Sequence, residues 1–329
     1  MIRAALVASV ALLACAAEAG DFPPGGNTSA LARGFALPTL GQTILPGGRH
    51  QTGALLDFTS EFVTEGFSSS DTCPVSSECI TLDGETERLL LSHRRGLGAG
   101  WDFSLEIPLL SQGGGFLDSW IEEWHGWFGL PNGGRETAPR DRYRYRYQRN
   151  GTVLLDVDDT ETYSGFGDIT LGIGRRIGDS LALRGMVKLP TGDEEKLGGG
   201  NTGAALWLDA ALPLPAGFEG FLAAGLSFND RGAVLPDMQN REVVFGGIGL
   251  TTPFPFTDRV RILAQVYGHS RLYDGGGVSP FSREGVPLTL GLQLRTGPAS
   301  RFEFGFLEDL GVNASPDFTA YLALTFNSG

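Results

Sequence analysis

Hydrophobic and polar positions alternate along most of the chain. From Gly98 to Leu110, Trp101, Phe103, Leu105, Ile107 and Leu109 alternate with Asp102, Ser104, Glu106 and Pro108. A period of two sends these sets to opposite faces of a strand. The split recurs where Val260, Ile262, Ala264 and Val266 oppose Arg259, Arg261, Leu263, Gln265, Tyr267, His269 and Arg271. It returns in Val286, Leu288, Leu290, Leu292 and Leu294 against Thr289, Gly291, Gln293 and Arg295, and in Phe302, Phe304 and Phe306 against Arg301 and Glu303. Many segments run about 10 to 13 residues, against roughly 5–6 for soluble strands and roughly 9–11 for tilted membrane strands.

The connections alternate in length. Short turns fall near Arg95 to Gly98, Ile177 to Ser180, Pro213 to Gly217, Thr252 to Asp258 and Gly297 to Ser300. Long links fall at Gly66 to Asp83, Ser111 to Tyr163, Thr191 to Gly200, Asp230 to Asn240, Leu272 to Gly285 and Asp309 to Pro316. Five short and six long links join twelve strands, which predicts an all-β fold: one transmembrane antiparallel β-barrel in a bacterial outer membrane. Short turns then face the periplasm and long loops the outside. The closing run Phe318, Ala320, Leu322, Leu324 and Phe326 resembles the terminal signal by which such barrels engage the barrel-assembly machinery, although Asn327, Ser328 and Gly329 follow the last aromatic residue.

Three segments break the pattern. Residues 20–52 carry Pro23-Pro24-Gly25-Gly26, Pro38 and Pro46-Gly47-Gly48, which interrupt any ladder; a plug entering the barrel (53–329) and a solvated tail both fit. Phe116 to Phe128 has helical spacing, with Phe116, Trp120, Trp124, Trp127 and Phe128 on one side. Three placements suit this short amphipathic helix: the lipid headgroup layer, a lid over the bore, or packing of the loop on itself. The third segment is a hairpin turning at Asn150-Gly151. Its arginines Arg142, Arg144, Arg146 and Arg149 either pair with Asp156, Asp158 and Asp159 or contact lipopolysaccharide phosphates. A calcium site at those aspartates and Glu161 lacks the glycine and spacing of an EF-hand loop.

With the oily faces toward lipid, the bore is lined by Asp57, Glu61, Asp102, Glu106, Asp168, Asp209, Glu219 and Glu303, against Arg88, Arg94, Arg176, Arg184, Lys188, Arg259, Arg261, Arg271 and Arg295, with His269 among the arginines. Two readings follow: paired charges that stiffen a narrow or plugged barrel, or a charged permeation path.

Composition narrows the picture. Forty-nine glycines in 329 residues and no apolar run near 18 residues argue against membrane helices. Arg3, the apolar run Ala4 to Ala14 and Ala17-Glu18-Ala19 read as a secretory signal over 1–19; Leu12-Leu13-Ala14-Cys15 also fits a lipidation site. Cys73 and Cys79, six apart in an exported chain, suggest a disulfide. A net charge of −13 makes the chain a poor candidate for general nucleic-acid binding.

Trp124 to Arg135 (Trp-His-Gly-Trp-Phe-Gly-Leu-Pro-Asn-Gly-Gly-Arg), Gly165-Phe166-Gly167-Asp168 and Lys188-Leu189-Pro190-Thr191-Gly192-Asp193 resemble an uncharacterised family of proteobacterial outer-membrane barrels known only as a domain of unknown function. The Lys-Leu-Pro-Thr-Gly piece is also similar to barrels linked with hydrophobic-compound uptake. The resemblance implies a barrel more firmly than a cargo.

An enzyme is not expected. Outer-membrane lipid hydrolases resemble one another in a His-x-Ser pair, and His50, His93, His125 and His269 are followed at the second position by Thr52, Arg95, Trp127 and Arg271. No cofactor is expected. The functional expectation is a narrow or gated channel for small apolar or amphipathic compounds; the alternative is a non-transporting envelope barrel whose loops contact lipopolysaccharide.

Overall fold

The computed structural model describes residues 22, 25–67, 72–129, 134–310 and 314–329. The expected leader 1–19 with Cys15, the residues Pro23-Pro24 and Leu130 to Gly133, and the side chain of Phe128 lie outside the described residues.

Fifteen strands form one sheet: β1 His50–Glu65, β2 Glu78–Gly98, β3 Trp101–Gly113, β4 Arg144–Arg149, β5 Thr152–Asp158, β6 Tyr163–Phe166, β7 Thr170–Arg176, β8 Leu181–Lys188, β9 Gly203–Pro213, β10 Glu219–Asn229, β11 Glu242–Phe254, β12 Thr257–His269, β13 Pro287–Arg295, β14 Ser300–Asp309 and β15 Phe318–Ser328. Twelve of them, β1 to β3 and β7 to β15, close into an antiparallel barrel through the pairings β2–β3 and β1–β15. His50 opposes Ser328 and Ser60 opposes Phe318 across the closing seam, so the wall starts at His50, slightly earlier than the alternation suggested.

The other three strands belong to the long link between β3 and β7. The 21-residue β2 outruns its neighbour β3, and β4 takes up the spare edge from Glu78 to Asp83. Asn150 and Gly151, both at positive φ (50° and 78°), make the two-residue turn into β5. On its other edge β3 changes partner, from β7 at Trp101 to Glu106 to β6 at Leu109 to Gln112. Pro108, which cannot donate to a ladder, stands in that interruption.

The faces sort as the alternation requires. In β12, Leu263, Gln265, Tyr267 and His269 are buried, whereas Ile262 is exposed. Outward residues such as Ile173, Leu208, Leu222, Ile248, Phe304, Leu322 and Leu324 are exposed on strands all around the wall. Such a surface belongs in hydrocarbon, and the protein is a bacterial outer-membrane barrel. The disulfide between Cys73 and Cys79 is formed, with Cα atoms 5.9 Å apart.

Candidate functional site

The site is the bore, and the chain's own residues 22 and 25–45 lie in it. This segment cannot build strands of its own, because prolines and glycines interrupt it, so its backbone groups need partners on the wall. Phe22 packs edge-on against Phe221, ring centroids 4.6 Å apart, in a cluster with Leu40, Trp207, Phe245, Leu263 and Tyr267. The path then rises toward the outer mouth. Asn27 donates to His269 Nε2 (2.9 Å) and to the carbonyl of Ala314 (2.9 Å), and the Ala30 amide donates to Glu61 (3.0 Å). A short 3-10 turn, Ala30–Gly34, reverses it.

On the way back, the Ala36 amide donates to Asn229 (2.7 Å), the Gly41 amide to Asp209 (3.0 Å) and the Leu45 amide to Asp102 (3.2 Å). Gly41 has φ +73°, and a Cβ there would lie 2.5 Å from the Phe221 ring, so the descent is shaped around that ring. Gly48 and Arg49 then exchange backbone hydrogen bonds with Gly96, and β1 begins.

The wall charges bind this segment and each other. Asp102 is a hub: Arg94 Nη2 lies 3.0 Å and Arg184 Nη1 3.3 Å from its carboxylate oxygens, and Arg184 also reaches Asp209 (3.3 Å). Arg184 donates to the carbonyls of Gln42 (2.9 Å) and Thr43 (3.0 Å), and Arg94 also donates to Thr43. The positive groups are thus shared between wall carboxylates and plug carbonyls. Higher up, Arg88 pairs with Asp57 at 2.6 Å, Glu106 accepts from Thr170, and Glu61 also accepts from Tyr145 (2.6 Å). Two cavities between segment and wall hold about 20 Å³ each, room for one or two waters.

Several expected lining residues do other work. Asp168 and Lys188 pair at the outer rim, and Asp168 also accepts from the amides of Thr191, Gly192 and Gly200, pinning the loop that follows β8. Glu303 pairs with Arg301. Arg261 bridges Thr251 and Glu219 near the periplasmic end. Arg259 and Arg295 stand exposed at periplasmic strand ends, and Arg271 is exposed in an outer loop, where it faces Asp274. They sit beyond the bore because the alternation extends past the membrane and carries no depth information.

The aromatic helix α1, Asp118–Phe128, lies outside the barrel rather than over its mouth. Leu117 and Ile121 pack on Phe318, with Trp124, Phe58, Phe306 and Ala320 alongside, all on outward faces of β1, β14 and β15. Glu85 receives the amides of Phe116 (2.8 Å) and Leu117 (2.6 Å), and Arg135 lies between Asp118 and Asp317 above the Phe62 ring. Arg142, Arg144 and Arg146 face outward; Arg142 pairs with Asp83 (2.7 Å) and Arg144 with Asp156 (2.6 Å). Arg149 turns away to the carbonyl of Gly275.

The complementary face of that hairpin was missed from sequence. Tyr143, Tyr145 and Tyr147 are fully buried over the bore, bonded through their hydroxyls to Gln112, Glu61 and Glu78. Their alternation with arginine was the available signal.

A family model described as a protein of unknown function, DUF3187, matches residues 49–328. Among solved structures, the COG4313 outer membrane channel from Pseudomonas putida F1 is similar at a TM-score of 0.50 and 15% identity, covering 86% of this chain and 97% of that one. The toluene transporter TodX of P. putida (TM-score 0.41, 8% identity, 92% and 94% covered) and the NalP translocator domain of Neisseria meningitidis (0.45, 10%, 85% and 88%) are more distant. No protein of curated function matches in sequence.

Proposed function

The chain belongs to the protein family of unknown function DUF3187, and we propose that it is a narrow outer-membrane channel gated by its own N-terminal segment, passing small apolar or amphipathic compounds. The supporting observation is the manner in which the bore is filled. Residues 25–45 are held by side chains and single amide bonds, not by strand pairing. Such a stopper can leave without opening the wall. Its exit would uncover aromatic patches (Trp207, Phe221, Phe245 and Tyr267) beside the Asp102, Arg94 and Arg184 group, a lining with both apolar and polar character.

The test is reconstitution in planar bilayers and liposomes of the mature chain and of a variant lacking residues 22–45. The full chain should be nearly silent, with brief openings, and the truncated chain should conduct and admit small aromatic solutes. A folded truncated barrel that passes neither ions nor solutes would refute the channel reading. The second reading, an envelope barrel that engages lipopolysaccharide, is favoured by one observation: Arg142, Arg144 and Arg146 face away from the bore.

A further inference from the structure

We propose that the outer surface formed by α1 and the β4–β5 hairpin is a seat for a phosphate-bearing glycolipid of the outer leaflet. It deepens the lipopolysaccharide reading and stands whether or not the bore conducts.

The argument begins with height on the wall. Outward residues of neighbouring strands change character within one residue pair of each other: Leu89 gives way to Glu87 on β2 in register with Leu109 to Ser111 on β3, and on β1 the change from Phe58, which faces Glu87, to Ser60 falls one pair farther out. That level is the outer edge of the hydrocarbon band. Helix α1 lies across this edge, over Phe58, Phe306 and Phe318. It leaves Trp127 72%, Phe116 60% and Trp120 41% exposed. These rings continue the lipid-facing surface of Phe304, Leu322 and Leu324 and reach the layer where tryptophan is favoured.

Beside the helix and slightly farther out, a cavity of about 370 Å³ opens on the same outward face. Arg142, Arg144 and Arg146 line it with Thr81, Thr160 and Phe67. Its two carboxylates are already committed, Asp158 to Arg144 and Thr160 and Asp159 to the amide of Tyr143, and Arg142 pairs with Asp83 beside the cavity. Arg146 differs. Its Nε makes no hydrogen bond among the described residues, and its Nη2 donates to Gln148 across 3.4 Å. A phosphate oxygen would satisfy it, and guanidinium geometry suits that partner. The tyrosine face of the hairpin separates the cavity from the bore, so its ligand arrives from the membrane side. Acyl chains against the aromatic belt and a phosphate among the arginines describe one amphipathic anionic molecule.

The test uses the full mature chain in detergent with three probes: inner-core lipopolysaccharide, the same material after chemical dephosphorylation, and inorganic phosphate. Binding is read from tryptophan emission and by thermophoresis. Phosphorylated lipopolysaccharide should bind at least about tenfold more tightly than the dephosphorylated form, with Arg146→Gln abolishing that preference and Trp127→Ala weakening both forms. Arg146→Lys, which keeps the charge but not the fork, should give an intermediate loss and covers the case in which the glutamine variant does not fold. Equal binding of the two lipid forms, or full competition by millimolar inorganic phosphate, would overturn the proposal. A silent bore with preserved phosphate preference would reject the channel reading alone.

Discussion

Asp102 concentrates the energetics of the interior. It is buried with Arg94, Arg184 and the Leu45 amide around it, so its removal takes the carboxylate from Arg94 and one of two from Arg184 in a low-dielectric space. Breaking a buried pair in this way costs about 3–5 kcal/mol. Asp102→Ala should therefore lower the unfolding temperature in detergent and raise bilayer conductance together, because the same contact holds both wall and plug. At the outer rim, Asp317 offers a pH test. Burial pushes its carboxyl up to about 7 despite the attraction of Arg135. A raised acid favours the folded state while protonated, so docking of the α1 loop should be firmest near pH 4 and weaken as pH rises through 7. Trp124 emission should follow that titration, and Asp317→Asn should reduce its amplitude, with Glu85 and Glu308 beside the same loop carrying the remainder.

Elements behave as the local sequence dictates until they meet one another. Gly41 sits where only a residue tolerating positive φ and lacking a Cβ passes Phe221, so Gly41→Val should unseat the descending limb of the plug while sparing the wall. Trypsin cleavage within 22–49 should then increase without loss of the heat-modifiable barrel band on gels. The disulfide acts on a different element. Cys73–Cys79 ties the link between β1 and β2 to the first residues of β2, and Cys73→Ser with Cys79→Ser should cost roughly 2 kcal/mol, seen as loop proteolysis rather than loss of the barrel. The helix over 116–128 and the Asn150-Gly151 turn were both legible from spacing and turn chemistry. The face each would present was not: the tyrosines of β4 and the aromatics of α1 could each have met bore or lipid, and periodicity is the same for both.

At the scale of the whole molecule, the exposed outward belt requires a lipid or detergent partner, and removing detergent from the purified chain should precipitate it while liposomes rescue it. Light scattering after dilution checks this. Twelve wall strands, their two faces, the asymmetry of the links and the cysteine pairing follow from order along the chain, because side-chain direction in a strand depends only on parity and turns only on a few residues. Depth and occupancy do not follow, since they depend on contacts between residues far apart in sequence. Asn27 meets His269, Gly41 meets Phe221 and Arg135 meets Asp317 only after closure of the barrel. Sequence alone therefore determined an outer-membrane barrel with a charged interior. Only the tertiary structure decided that the interior is filled by the chain itself and that the aromatic helix lies outside, because a plug and a tail, or a lid and an anchor, share the same local pattern and differ only in what they pack against.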